Sequence, residues 1–186
     1  MCLHTAAALV VIVRLYGAPT VEPDVLERAQ AAVQTIFERS GIAVEWRVCP
    51  AAVVDGDCAA APASNEAVAR LLAGPPSVSA DSCGVALVPQ SAAGHFVSVF
   101  VACVRGAADR LRLAEHVLLG SVLAHEIGHL LLGTNSHGSV GLMQAQPRAI
   151  DWERAAHGAL GFTSEETLRL QRSLERRVAE LTVEAR

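Results

Sequence analysis

Hydrophobic and polar positions along the chain repeat with two periods, and the switches between them mark its elements. Residues 7–16, AALVVIVRLY, form a β-branched apolar run closed by Gly-Ala-Pro, which predicts a buried central strand. In the next stretch, VEPDVLERAQAAVQTIFERSG, Val25, Leu26, Ala29, Val33, Ile36 and Phe37 keep the spacing of one helix face, and Gly41 ends it. Residues 42–49, IAVEWRVC, then alternate as a strand does. Strand, helix and strand in that order favour parallel pairing through a right-handed crossover.

From Pro50 to Ala80 the chain is rich in Ala, Pro, Gly and Ser, and its SNEAVARLLAG fits a short helix or a strand equally. CGVALVPQ and HFVSVFVACV read as two strands joined across SAAG. From about Asp109 one long helical pattern runs through RLRLAEHVLLGSVLAHEIGHLLLG to Gly133, a residue suited to a left-handed cap. After a loop come DWERAAHGAL and a final helix, with Thr163 and Glu166 as a capping box and Leu170, Leu174, Val178 and Leu181 as an apolar stripe. Without internal repeats or a linker, the expectation is one α+β domain over residues 1–186: a small mixed twisted sheet, a backing helix, a central helix and a C-terminal helix.

Composition narrows the class. With 52% hydrophobic and 18% charged residues the chain is globular, and 186 residues can bury a core that needs no metal for stability. A net charge of -4 with acids and bases interspersed leaves no basic patch, so nucleic acid is not an expected partner. The apolar N-terminus lacks a cationic region and Arg14 interrupts it, so it reads as a strand rather than a signal peptide. No run reaches the roughly eighteen apolar residues of a membrane span. The compartment is then cytoplasmic, or secreted or periplasmic if a leader precedes this sequence. Of the five cysteines, Cys49 and Cys58 flank a turn-rich segment that a disulfide could close in an exported protein; reduced, buried thiols are the alternative. Cys2 and Cys83 read as structural, and an odd count leaves at least one cysteine outside any intramolecular pair.

The candidate chemistry lies in HEIGHLLLGTNSHGSVGLM, residues 125–143. His125 and His129, four apart on a helix, face one ion, and Glu126, turned by one residue, can stand beside it without ligating. That suits a general base for water on zinc. Two histidines and a glutamate in so apolar a helix cost several kcal/mol of desolvation, on the order of what a metal would offset. A catalytic zinc site takes three protein ligands and a water. His137, four residues past Gly133, can return beneath the same ion, so it is the expected third ligand; Asn135 and Glu153 are rivals.

These residues resemble the metzincin class of zinc peptidases, whose signature is HExxHxxGxxH followed by a methionine-containing turn. Here the pattern is HExxHxxxGxxxH, with Gly133 one residue and His137 two residues later than in that signature, and Asn135 where it expects histidine. The stretch also looks like that of a group of bacterial metallopeptidase-like proteins, whose chains open with a strand, a helix ending near FERSGI and a strand with Trp before Cys, and usually carry an export signal. The resemblance implies a metzincin-like zincin fold, with Zn2+ held by His125, His129 and His137, Glu126 activating the zinc-bound water, and Met143 as the hydrophobic floor. It implies a zinc-dependent endopeptidase acting on a peptide or protein. The tyrosine that some metzincins place after the methionine turn has no counterpart, since Tyr16 is the sole tyrosine; His95 and His157 are candidates for its role. A substrate strand is expected along the sheet, against HFVSVFVAC. A non-catalytic zinc-binding domain with a recognition role is the alternative, and a metal-free helical core the third reading.

Overall fold

The computed structural model describes residues 9–50, 56–74, 82–90 and 93–184. The first apolar run forms β1 (Leu9–Tyr16), helix α1 (Pro23–Glu38) follows a single 3-10 turn, and β2 (Ile42–Val48) pairs parallel with β1, as the strand-helix-strand pattern predicts. Ala7 and Ala8 of the predicted strand lie outside the described residues, as does Cys2. The undecided SNEAVARLLAG becomes β3 (Glu66–Leu72), parallel to β1. It is buried on both faces through Val68, Ala67 and Ala69, which removes the alternation a half-exposed strand would show.

β4 (Gly84–Leu87) and β5 (Phe96–Phe100) pair antiparallel, and β5 runs parallel to β3, so the sheet order is β2-β1-β3-β5-β4. This corrects the expected docking strand: β5 is internal, paired on both sides, and the edges among the described strands are β2 and β4, with β4 the one beside β5. The five-stranded mixed sheet with helices bears out the α+β class.

A second correction concerns the long helical pattern. HFVSVFVACV is apolar at nearly every position and hides a change of period at Phe100: α2 (Val101–Leu111) starts there, burying Val101, Val104 and Ala108 along one face. Arg112 then takes a left-handed conformation at φ 54°, with Leu113 N donating to Ala108 O at 2.9 Å, and the chain restarts as α3 (Glu115–Leu132). A non-glycine residue in that conformation costs about 1–2 kcal/mol, so this break is not one that residue types announce.

α1 and α3 cover the face of the sheet carrying Val11, Val13 and Leu15, and α5 (Ser164–Glu184) packs on α3 with Leu170 and Leu174 fully buried. The predicted capping box is present: Thr163 N donates to Glu166 Oε2 at 2.8 Å, and Glu166 N to Thr163 Oγ1 at 3.2 Å. Arg177 stands buried in the same helix. Its guanidinium donates to the carbonyls of Leu130 (2.6 Å), Gly94 (3.1 Å) and Ser64 (3.2 Å), so one side chain ties α5 to α3 and to two loops. On the opposite sheet face Arg14 pairs with buried Glu66 and donates to Ala60 O at 2.7 Å, holding down the segment before β3.

Two disulfides staple the structure. Cys49–Cys58 closes the turn-rich segment after β2, and Cys83–Cys103 joins the start of β4 to the first turn of α2. The second follows from strand register: Gly84 sits opposite Val99 and Phe100 N donates to Cys83 O at 2.9 Å, which brings Cys103 beside Cys83. No helix among the described residues is long and apolar enough to cross a membrane.

Candidate metal centre

α3 carries His125, Glu126 and His129, and Gly133 ends it at φ 65°, with its N–H donating to His129 O at 3.0 Å. The chain then reverses within one residue. Thr134 O accepts a hydrogen bond from His129 Nδ1 at 2.7 Å, and farther along Leu142 O accepts one from His125 Nδ1 at 2.8 Å. Carbonyls only accept, so both Nδ1 atoms carry the proton and both Nε2 atoms are left bare. Those two Nε2 atoms face each other at 3.0 Å. Two lone pairs converging at that distance repel unless they share a cation or a proton.

Burial, the largest influence on each, lowers both histidine pKa values, His125 to about 4. The rings are therefore neutral near pH 7, the form that ligates metal. His137, on the exposed loop after Gly133, completes the group: the ligand atoms of the three lie within 4.8 Å of one another. Its ring centroid is 5.3 Å from that of His125 and 4.9 Å from that of His129. Three nitrogens on a tetrahedral ion at roughly 2.0–2.1 Å are about 3.3 Å apart, so the existing spacing needs only a small swing of the exposed His137 ring. The donor set fits zinc.

Glu126 lies buried beside this group. Burial alone pushes its carboxyl up to about 7. The edge strand packs directly on it: a β-carbon built on Gly84 would stand 2.6 Å from both Cγ and Oε1 of Glu126. Met143 is 1% exposed beneath α3, and a β-carbon on Gly128, within HEIGH, would lie 2.8 Å from its sulfur. The turn presenting Met143 closes on itself through Gly138 N to Met143 O at 2.8 Å.

A cavity of about 470 Å³ opens beside His125, Glu126 and His137, bordered by Gly84 and the Cys83–Cys103 bridge. The rival ligands lie elsewhere. Asn135 lines a separate depression with His95, whose Nδ1 is engaged by Glu66 O at 2.8 Å. Glu153 is exposed on α4 (Ala149–Ala156), and His157 Nδ1 bonds to its carbonyl at 2.7 Å. Neither His95 nor His157 borders the cavity. Sequence reasoning missed Gly84, Leu142 and Thr134, of which two act through backbone carbonyls and carry no residue-type signal.

No protein-family model matches the chain, and no curated protein matches it in sequence. Its fold has solved counterparts. Archaemetzincin from Methanopyrus kandleri superposes with a TM-score of 0.57 at 15% identity, over 92% of this chain and 99% of that one. Metalloproteinase-II from Bacteroides fragilis superposes with a TM-score of 0.53 at 13% identity, over 92% of this chain and 55% of that one. At such identities the likeness is one of fold, and in this chain that fold of sheet and helices brings three histidines together.

Proposed function

We propose that the chain is a zinc-dependent endopeptidase, acting as one catalytic domain, in which His125, His129 and His137 hold the metal and Glu126 is the general base. The observation that carries this reading is the convergence of two bare Nε2 atoms and His137 beside a buried carboxyl, on a fold shared with an archaemetzincin and a metalloproteinase. Zinc, when bound, supplies a Lewis acid that polarises the scissile carbonyl and acidifies water. The chain's own residues do the rest. Glu126, with its carboxyl raised toward neutrality, can take the proton of the attacking water and return it to the leaving amine. The Leu142 and Thr134 carbonyls fix the tautomer and the aim of both helix histidines. Met143 fills the floor beneath them, as the methionine of a metzincin turn would.

The open edge of β4 supports binding of an extended peptide by strand addition, since Gly84 lays that edge against Glu126. The two disulfides support an oxidising compartment. A metal-binding scaffold without catalysis has no use for a buried glutamate at position 126. Zinc content of the wild type and His137→Ala, measured with hydrolysis of a peptide library by Glu126→Gln, tests the reading. The expected result is one zinc per chain, lost or weakened in His137→Ala, with Glu126→Gln retaining zinc and losing cleavage. Cleavage retained by Glu126→Gln would sink the general-base assignment, and zinc binding indifferent to His137→Ala would remove the third ligand.

A further inference from the structure

The cavity beside the histidines has an interior of one character and a rim of another. Leu118, Val122, Leu142, Leu160 and Trp152 make the interior apolar. The polar side chains in its wall are already engaged: Ser121 Oγ donates to Val117 O and Gln144 Nε2 to Gly141 O, each at 2.8 Å. Beyond Glu126 and the histidines, the one charged side chain bordering the cavity among the described residues is Arg110, in the last turn of α2. It folds back over Gly106, where a β-carbon would lie 3.4 Å from Nη1, and it has no ion-pair or hydrogen-bond partner among the described residues. Arg105, on the same helix, is by contrast held by Glu115 at 2.9 Å and Thr20 O at 3.2 Å.

An unpaired guanidinium is a planar fork matched to carboxylate oxygens. A carboxylate deep in the cavity would be desolvated and would face Glu126, so its favourable place is the rim. The volume is that of an ordinary small-ligand pocket, roughly 300–1,000 Å³. We infer that this cavity selects peptides that pair an apolar side chain with a carboxylate, the side chain filling the interior and Arg110 binding the carboxylate at the rim. The carboxylate comes from a free C-terminus or an acidic side chain. This inference rests on the peptidase reading and adds a substrate class to it.

The test uses N-acetyl peptides sharing a leucine-centred core: one pair ending in a free acid or an amide, and one amidated pair with Glu or Gln beside the leucine. Binding is measured by calorimetry at low and high salt on chelator-treated protein and again with one equivalent of zinc, and cleavage is followed by mass spectrometry. Carboxylate peptides should bind roughly five- to tenfold tighter than their neutral partners, less so in high salt. Arg110→Gln should equalise each pair, and Arg110→Glu should reverse it. Because Arg110 is exposed, both variants should melt like the wild type. Preference confined to the acid/amide pair identifies a terminal carboxylate, and preference confined to Glu/Gln an acidic side chain. Equal affinities in the wild type, a preference that survives Arg110→Gln, or no binding by any of the four overturns the inference. Carboxylate preference without cleavage would sink the peptidase reading alone, and cleavage without preference would sink the carboxylate site alone.

Discussion

Gly84→Ala is the substitution that best separates holding a metal from using it. The new methyl would meet Glu126 at 2.6 Å from Cγ, 2.6 Å from Oε1 and 2.9 Å from Cδ. The contact is with the length of the side chain, not its tip alone, so a terminal rotation cannot relieve it. Either Glu126 leaves its position or β4 shifts outward, and the Cys83–Cys103 bridge beside Gly84 resists the second. Overpacking of this kind costs about 1–3 kcal/mol, which in a chain of this size lowers Tm by about 2–12 °C. A displacement of about 1 Å in a reacting group costs on the order of 100-fold in rate. None of the three histidines is touched. The expected phenotype is therefore full zinc content, a moderate loss of Tm and peptide cleavage reduced roughly 100-fold in kcat/KM. Gly74→Ala is the control, since a β-carbon there meets none of the described residues within 4 Å. Wild-type melting and wild-type cleavage in Gly84→Ala would refute the packing of the edge strand on Glu126, and loss of zinc would show that Glu126 and the three histidines do not separate as argued.

Other expectations follow from named contacts. Arg177→Ala orphans three carbonyls, two of them bonded by fully buried guanidinium contacts, and should cost about 2–4 kcal/mol in urea unfolding. Met143→Ala should empty the floor under Gly128 and cost about 2–5 kcal/mol by the same measurement. Reduction should remove about 3 kcal/mol per disulfide, given separations of 9 and 20 residues, read as the Tm with and without a thiol reductant. Buried Asp151 caps α4, and its pKa is depressed first by the hydrogen bond from Arg148 N. A depressed carboxyl contributes stability above its unfolded value of 3.8 and loses it as pH falls through the folded value. Asp151→Asn should therefore flatten the acid limb of a melting-versus-pH curve and leave its neutral limb parallel to wild type.

What the sequence makes legible here is local. His125 and His129 follow from helical spacing, Gly133 from the conformation a helix end needs, and the capping box at Thr163 and Glu166 from four consecutive residues. The features that escape it are set by sheet order and register. That β4 rather than β5 lies at an edge depends on β5 inserting beside β3, and nothing in either strand's composition states its neighbours. The Cys83–Cys103 bridge depends on the same register. The carbonyls of Thr134 and Leu142, which aim the two helix histidines, belong to a backbone that any residue type could supply.

The spacing between His129 and His137 shows how these levels meet. Relative to the HExxHxxGxxH signature, the glycine is one residue late and the last histidine two. α3 takes up the first of these by continuing through Leu132 before Gly133 turns the chain. Thr134 is fixed at once by its carbonyl bond to His129 and by its N–H to His129 O at 3.3 Å, so the loop cannot drift before it returns. The remaining excess falls in Asn135 and Ser136, both exposed, with Ser136 N bonded to Thr134 Oγ1 at 3.0 Å in a local turn. Exposed loop residues can be added at little cost, since closure entropy grows only slowly with length. What the group demands is that the chain leave Thr134 and arrive at Gly138, where the turn carrying Met143 closes. Deleting Ser136 should then weaken zinc binding through His137 while leaving the His125 and His129 rings aimed by their carbonyls, a result read by comparing zinc affinity with that of His137→Ala. A deletion variant that binds zinc as tightly as the wild type would mean that the spacing past Thr134 is not what brings His137 to the two helix histidines.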